Sequence, residues 1–116
     1  MSNRKIIAVD FDGTIVTNKF PDIGEPIWST YNALLSEQWE GARLILWTCR
    51  RDEQLTAAVN WCKALDLEFE AVNENLPEII DAFGGDTRKI YADEYWDDRA
   101  VAVPLASSRP PNFQNN

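Results

Sequence analysis

An α/β fold with a central, mostly parallel sheet, laid out as a Rossmann-like three-layer sandwich, is the architecture this sequence predicts. Three observations carry it. Residues 6–9 (Ile-Ile-Ala-Val) and 44–47 (Leu-Ile-Leu-Trp) are continuous apolar runs, the pattern of strands buried on both faces. Segments with apolar residues at helical spacing separate the strand-like runs. The two kinds then alternate along the chain, as βα units wound into a parallel sheet do.

In chain order, residues 6–9 form the first strand. Residues 13–24 make a long connection rich in Gly, Asn, Pro and Asp, with the length for a short flap over the strand ends. A helix is expected to begin near Pro26, because Pro suits a first helical turn and Glu25 beside it suits the positive end of the helix. Ile27, Tyr31, Leu34 and Leu35 fall at helical spacing, and Gly41 is a natural stop. Residues 43–47 are the second strand. Asp52 is an N-cap candidate for a second helix that carries Leu55, Ala58, Val59, Cys62 and Leu65 on one face. Residues 67–71 alternate apolar and acidic, which fits an edge strand with charge on its exposed side. A loop with a short helix over 77–82 follows, ended by Gly84-Gly85. Residues 90–96 lead to a last acidic pair, and 101–103 are expected to add a short fifth strand. The single domain spans 1–104, and the Ser-, Pro- and Asn-rich tail, 105–116, is expected to be disordered.

Composition narrows the function classes. With 45% hydrophobic residues and five Trp the chain has the means to build a core, and these Trp residues, Trp47 and Trp96 included, are expected to pack in it. No apolar run approaches the roughly 18 residues of a transmembrane helix, and the basic start is too short of apolar residues for a signal peptide, so no membrane partner is expected. Cys49 and Cys62 lack metal-type spacing and read as free thiols of a cytoplasmic protein. Histidine is absent, which excludes Ser-His-Asp and Cys-His devices and imidazole-held zinc, leaving carboxylates as the catalysts. A net charge of −8 repels polyanions, so duplex nucleic acid is not an expected partner.

Function is written most densely where the first strand ends. Asp10 stops the apolar run, Asp12 follows two residues later, and Gly13 breaks the regular structure. Such a pair repels itself unless a cation intervenes, and Mg²⁺ prefers carboxylate and carbonyl oxygens. A strand running into an ordinary Asp-Gly turn would look the same in isolation. Downstream, however, Thr48 closes the second strand, Lys89 precedes the last one, and Asp97-Asp98 follow it. Ligands of open parallel sheets sit beyond the carboxyl ends of the strands, so these groups should converge on one crevice. Cys49 lacks the C-x-x-x-x-x-R loop of a thiol phosphatase. Arg50 is read in two ways, as a substrate contact beyond the phosphate or as the partner of an acidic neighbour. Asp93 is taken as a strand-flanking residue, because a ligand should follow the apolar stretch.

Read together, Asp10-Phe11-Asp12-Gly13-Thr14, Thr48, Lys89 and Asp97-Asp98 resemble the four ordered motifs of the haloacid dehalogenase-like (HAD) superfamily. The resemblance extends over residues 6–99 and is similar in detail to small phosphatase-like members without a cap domain. It implies a HAD-like fold with no cap and a phosphomonoester hydrolase working through an aspartyl-phosphate. Asp10 would be the nucleophile and Asp12 the acid and base. Asp10, Asp97, Asp98 and the backbone carbonyl of Asp12 would hold Mg²⁺, and Thr48 and Lys89 would hold the phosphate oxygens. Asp12 argues for phosphate chemistry over dehalogenation, which needs no leaving-group acid. The partner expected is a phosphorylated substrate, with a homo-oligomer as one way to cover an open site. A non-catalytic module of the same fold, a phosphotransferase and a nucleic-acid end phosphatase are the alternatives.

Overall fold

The computed structural model describes residues 4–104 and 109–111. Four strands, β1 (Ile6–Val9), β2 (Arg43–Leu46), β3 (Phe69–Val72) and β4 (Glu94–Trp96), form one sheet in the order β3-β2-β1-β4. Every pairing is parallel, with Val9 opposite Leu46 on one side and Trp96 on the other. Three helices, α1 (Trp28–Trp39), α2 (Asp52–Ala64) and α3 (Pro77–Phe83), complete the described α/β fold.

The order of the strands decides where the helices go. The chain winds outward from β1 through β2 to β3, and right-handed crossovers put α1 and α2 on one face. It then reverses to β4 on the other side of β1, which sends α3 to the opposite face. The core divides accordingly. Ile7, Val9, Phe11, Leu44 and Leu46 pack with Leu34, Ala58 and Cys62 from α1 and α2. Ile6, Ala8 and Ile45 face the other way, toward Leu76, Ile90 and the partly buried Ile79 of α3. β1 therefore has side chains buried on both faces, which is why its sequence is apolar without interruption.

Several elements differ from the sequence reading, each for a visible reason. α1 begins at Trp28 rather than beside Pro26, because Pro26 bridges back to Val16 and Ile27 donates its N–H to the Ile15 carbonyl. Asp52 does not cap α2. Arg51 is extended ahead of the helix, and Asp52 opens it at φ 53° with no side-chain cap bond. β3 starts at Phe69, and its alternation is interrupted. Phe69 pairs with Leu44 and Ala71 with Ile45, so Glu70 is an extra residue that bulges outward and meets Arg43.

Only residues 94–96 of the expected terminal run are strand, because the Tyr91 N–H is drawn off to the Asn75 side chain. Residues 101–103 form no fifth strand. The turn closed by Ala100 N–H on the Asp97 carbonyl carries them off the sheet, and Val101 and Val103 are exposed. Of the tail, 105–108 and 112–116 lie outside the described residues, and 109–111 are in neither helix nor strand. No described helix is long and apolar enough to cross a membrane.

Candidate functional site

The winding reverses at β1, and the crevice beyond its carboxyl end is where this topology gathers ligands. The hydrogen-bond ladder continues one step past the strands: Trp47 N–H donates to the Val9 carbonyl and Asp10 N–H to the Trp96 carbonyl, both at 2.9 Å. Trp47, Asp10 and Asp97 thus stand at one level across three strand ends. Alternation along β1 puts Asp10 on the side of Ala8, the α3 face. Tyr95 pairs with Ala8 in register and shares that face.

Asp10, Asp97 and Asp98 each offer a carboxylate oxygen, all within 4.8 Å of one another, with Asp10 half-buried and the other two exposed. Burial pushes the Asp10 carboxyl up to about 6 against the pull of a hydrogen bond from the Phe11 backbone, and the charges of Asp97, Asp98 and Asp12 raise it further. A cluster of oxygen donors that strains to hold its own charge fits a hard divalent cation.

Asp98 is fixed from below. Thr14 Oγ1 donates to Asp98 Oδ1 at 3.2 Å and accepts the Asp98 N–H at 3.0 Å. Gly13 (φ +87°) makes room for the same carboxylate, since a Cβ there would lie 2.6 Å from Asp98 Oδ2. Neither Gly13 nor Thr14 stood out in the sequence as more than part of a motif. The signal was their position immediately after the two Asp residues.

Asp12 lies apart from the cluster. Arg50 Nε and Nη2 donate to its two carboxylate oxygens at 2.7 and 2.8 Å. The side chain therefore belongs to an ion pair, and the sequence reading of Asp12 as a metal residue rests on its backbone carbonyl. Arg50 is 2% exposed, and of its two readings the acidic partner is the one the structure displays.

Thr48 stands at the end of β2, where its N–H donates to Asn73 Oδ1 at 2.8 Å and its Oγ1 accepts the Arg50 N–H at 3.1 Å. Asn73 (φ 55°) follows β3 and pins this loop. Nothing in the sequence singles it out beyond its place at a strand end. Lys89 precedes β4, with Nζ 5.6 Å from the centroid of the Tyr95 ring, which puts it on the face of Asp10. Asp93 joins the opposite end of the sheet, where it accepts the Ile6 N–H and donates its own to the Ile6 carbonyl, each at 2.8 Å. Trp47 is 38% exposed rather than buried, and its ring lies 5.8 Å from that of Tyr95. Trp28 and Trp39 are exposed on α1 as well, while Trp61 and Trp96 pack against the core.

A solved structure of a conserved protein from Bacteroides thetaiotaomicron is 47% identical to this chain, with a TM-score of 0.76. The match covers 88% of this chain and 83% of the other. The chain belongs to the family of that conserved protein. No protein-family model and no curated protein matches the chain. The site's chemistry is that of three clustered carboxylates, with a further carboxylate, Asp12, two residues from Asp10 and bound by Arg50.

Proposed function

We propose that the protein is a Mg²⁺-dependent phosphatase of the HAD type that hydrolyses phosphomonoesters through an aspartyl-phosphate. One observation carries this reading: Asp10, Asp97 and Asp98 meet at the reversal point of a parallel sheet, with burial and mutual repulsion raising the Asp10 carboxyl to about 6. The motif resemblance supports it, because the residues it matches to the nucleophile and the acidic pair are those that come together.

Mg²⁺ held by Asp10, Asp97, Asp98 and the Asp12 carbonyl would screen the anionic nucleophile from the anionic phosphate. Asp10 attacks phosphorus, forming an Oδ–P bond as the ester P–O bond breaks. Asp12 delivers a proton to the departing oxygen, then takes one from the water that cleaves the aspartyl-phosphate. The Thr48 hydroxyl and the Lys89 ammonium hold the remaining phosphate oxygens. The exposure of Asp97 and Asp98 leaves water free access, which favours hydrolysis over transfer to another acceptor. The free Cys49 and Cys62 thiols fit work in the reducing cytosol.

The engagement of Asp12 by Arg50 favours a second reading, a binding module of the same fold without turnover. Release of p-nitrophenol from its phosphate, with and without Mg²⁺, separates the two. The phosphatase reading expects metal-dependent release that Asp10→Asn lowers by at least about 10³-fold. A folded, Mg²⁺-binding wild type inert toward this ester and toward a panel of natural phosphoesters would leave the module.

A further inference from the structure

Arg50 is the largest fully buried side chain among the described residues. A buried guanidinium persists where its five donors are met, and here they are. Besides the two bonds to Asp12, Nη2 donates to the Asp22 carbonyl at 2.7 Å, and Nη1 to the carbonyls of Pro21 at 3.2 Å and Gln54 at 3.3 Å. The charged group also lies 5.1 Å from the centroids of both the Phe11 and Phe20 rings. One side chain thus grips the Asp12 loop, the exposed connection around Phe20–Asp22, and the first turn of α2.

That connection is a small flap. Thr17 N–H donates to the Glu25 carbonyl and Glu25 N–H to Thr17 Oγ1, both at 2.8 Å, which closes its neck. Beyond the neck, the Arg50 bonds to Pro21 and Asp22 tie its tip to the body of the protein. With both oxygens engaged by Arg50, the Asp12 carboxylate must leave the guanidinium before it can serve a leaving group. When it leaves, Arg50 loses the one anionic partner it has among the described residues, and its hold on the flap carbonyls changes with it.

We infer that Arg50 is a positioning residue that couples Asp12 to the flap, so that the two are seated and released together. The part played by Asp12 in turnover rests on the phosphatase reading, whereas the coupling rests on the geometry alone. A substrate that displaces the flap thereby frees the acid, which links proton transfer to occupancy of the site.

Amide hydrogen exchange of the full metal-free chain tests the coupling without any turnover. Asp12→Asn is expected to speed exchange at residues 17–25 by about tenfold while β1 and β2 keep wild-type rates. In an Arg50→Lys background the same substitution should add less than about twofold, because the link is already cut. Wild-type flap rates in Asp12→Asn, or an effect of equal size in both backgrounds, overturn the coupling. If Arg50→Lys fails to fold, the flap rates of Asp12→Asn alone decide. In turnover, Arg50→Lys should lower kcat about tenfold with KM nearly unchanged, and should cost nothing further in Asp12→Asn. A wild type without turnover removes the phosphatase reading and leaves the exchange result to stand or fall by itself.

Discussion

Gly13 shows how a single residue sets the acidic cluster. Its φ of +87° disfavours any side chain, and a notional Cβ 2.6 Å from Asp98 Oδ2 fits only if that carboxylate shifts. Gly13→Ala therefore strains the backbone and displaces the Asp98 carboxylate at once. A loss of about 1–3 kcal/mol in urea denaturation is expected, together with weaker binding of divalent cation by calorimetric titration. Normal stability with normal binding would show that Asp98 is free to move. At this scale the sequence was legible where a residue's type and position suffice. Asp10 directly follows the apolar run 6–9 and Asp97-Asp98 follow Tyr95-Trp96, and parallel strands bring such ends together. The Asp12–Arg50 pair was not legible as a contact, because any of the chain's acidic residues would satisfy a guanidinium in sequence alone.

Among the elements, the buried strands were the easiest to read. β1 and β2 have a helix layer against one face and α3 with its loop against the other, and continuous apolar runs follow from that. The segments around β4 were harder, because their course is set by one polar side chain. Asn75 is 1% exposed. Its Oδ1 accepts the Tyr91 N–H at 2.7 Å, and its Nδ2 donates to Asp86 Oδ1 at 2.8 Å and to the Thr87 carbonyl at 3.2 Å. It clasps the loop that carries Lys89 and draws the Tyr91 N–H away from strand pairing. No periodicity reports such a clasp. Asn75→Ala leaves buried donors and acceptors unmet, and should cost about 2–3 kcal/mol with an unchanged urea m-value. A loss within about 0.5 kcal/mol would mean that water or a neighbour takes over these bonds, and that the loop is held elsewhere.

For the molecule as a whole, the acidic site should make stability depend on pH and, on the proposed reading, on Mg²⁺. Asp10 has its folded-state pKa raised from 3.8 to about 6. Its contribution is therefore fully present below about pH 4 and is lost as pH rises through 6, where the half-buried carboxyl must ionise among like charges. In metal-free protein at pH 7, Asp10→Asn should be more stable than wild type by about 1 kcal/mol after allowance for solvent screening. That gain should shrink to near zero by about pH 3, where the wild-type carboxyl is mostly neutral both folded and unfolded. Added Mg²⁺ should reverse the order at pH 7. Wild type gains about 2.7 kcal/mol at a hundredfold excess over its Kd, while Asp10→Asn and Asp97→Asn gain much less. Thermal melts across pH, with and without Mg²⁺, read all of these shifts. A pH-independent difference would place the cause outside ionisation of Asp10, and equal Mg²⁺ shifts in all three proteins would place the cation away from the β1 and β4 strand ends.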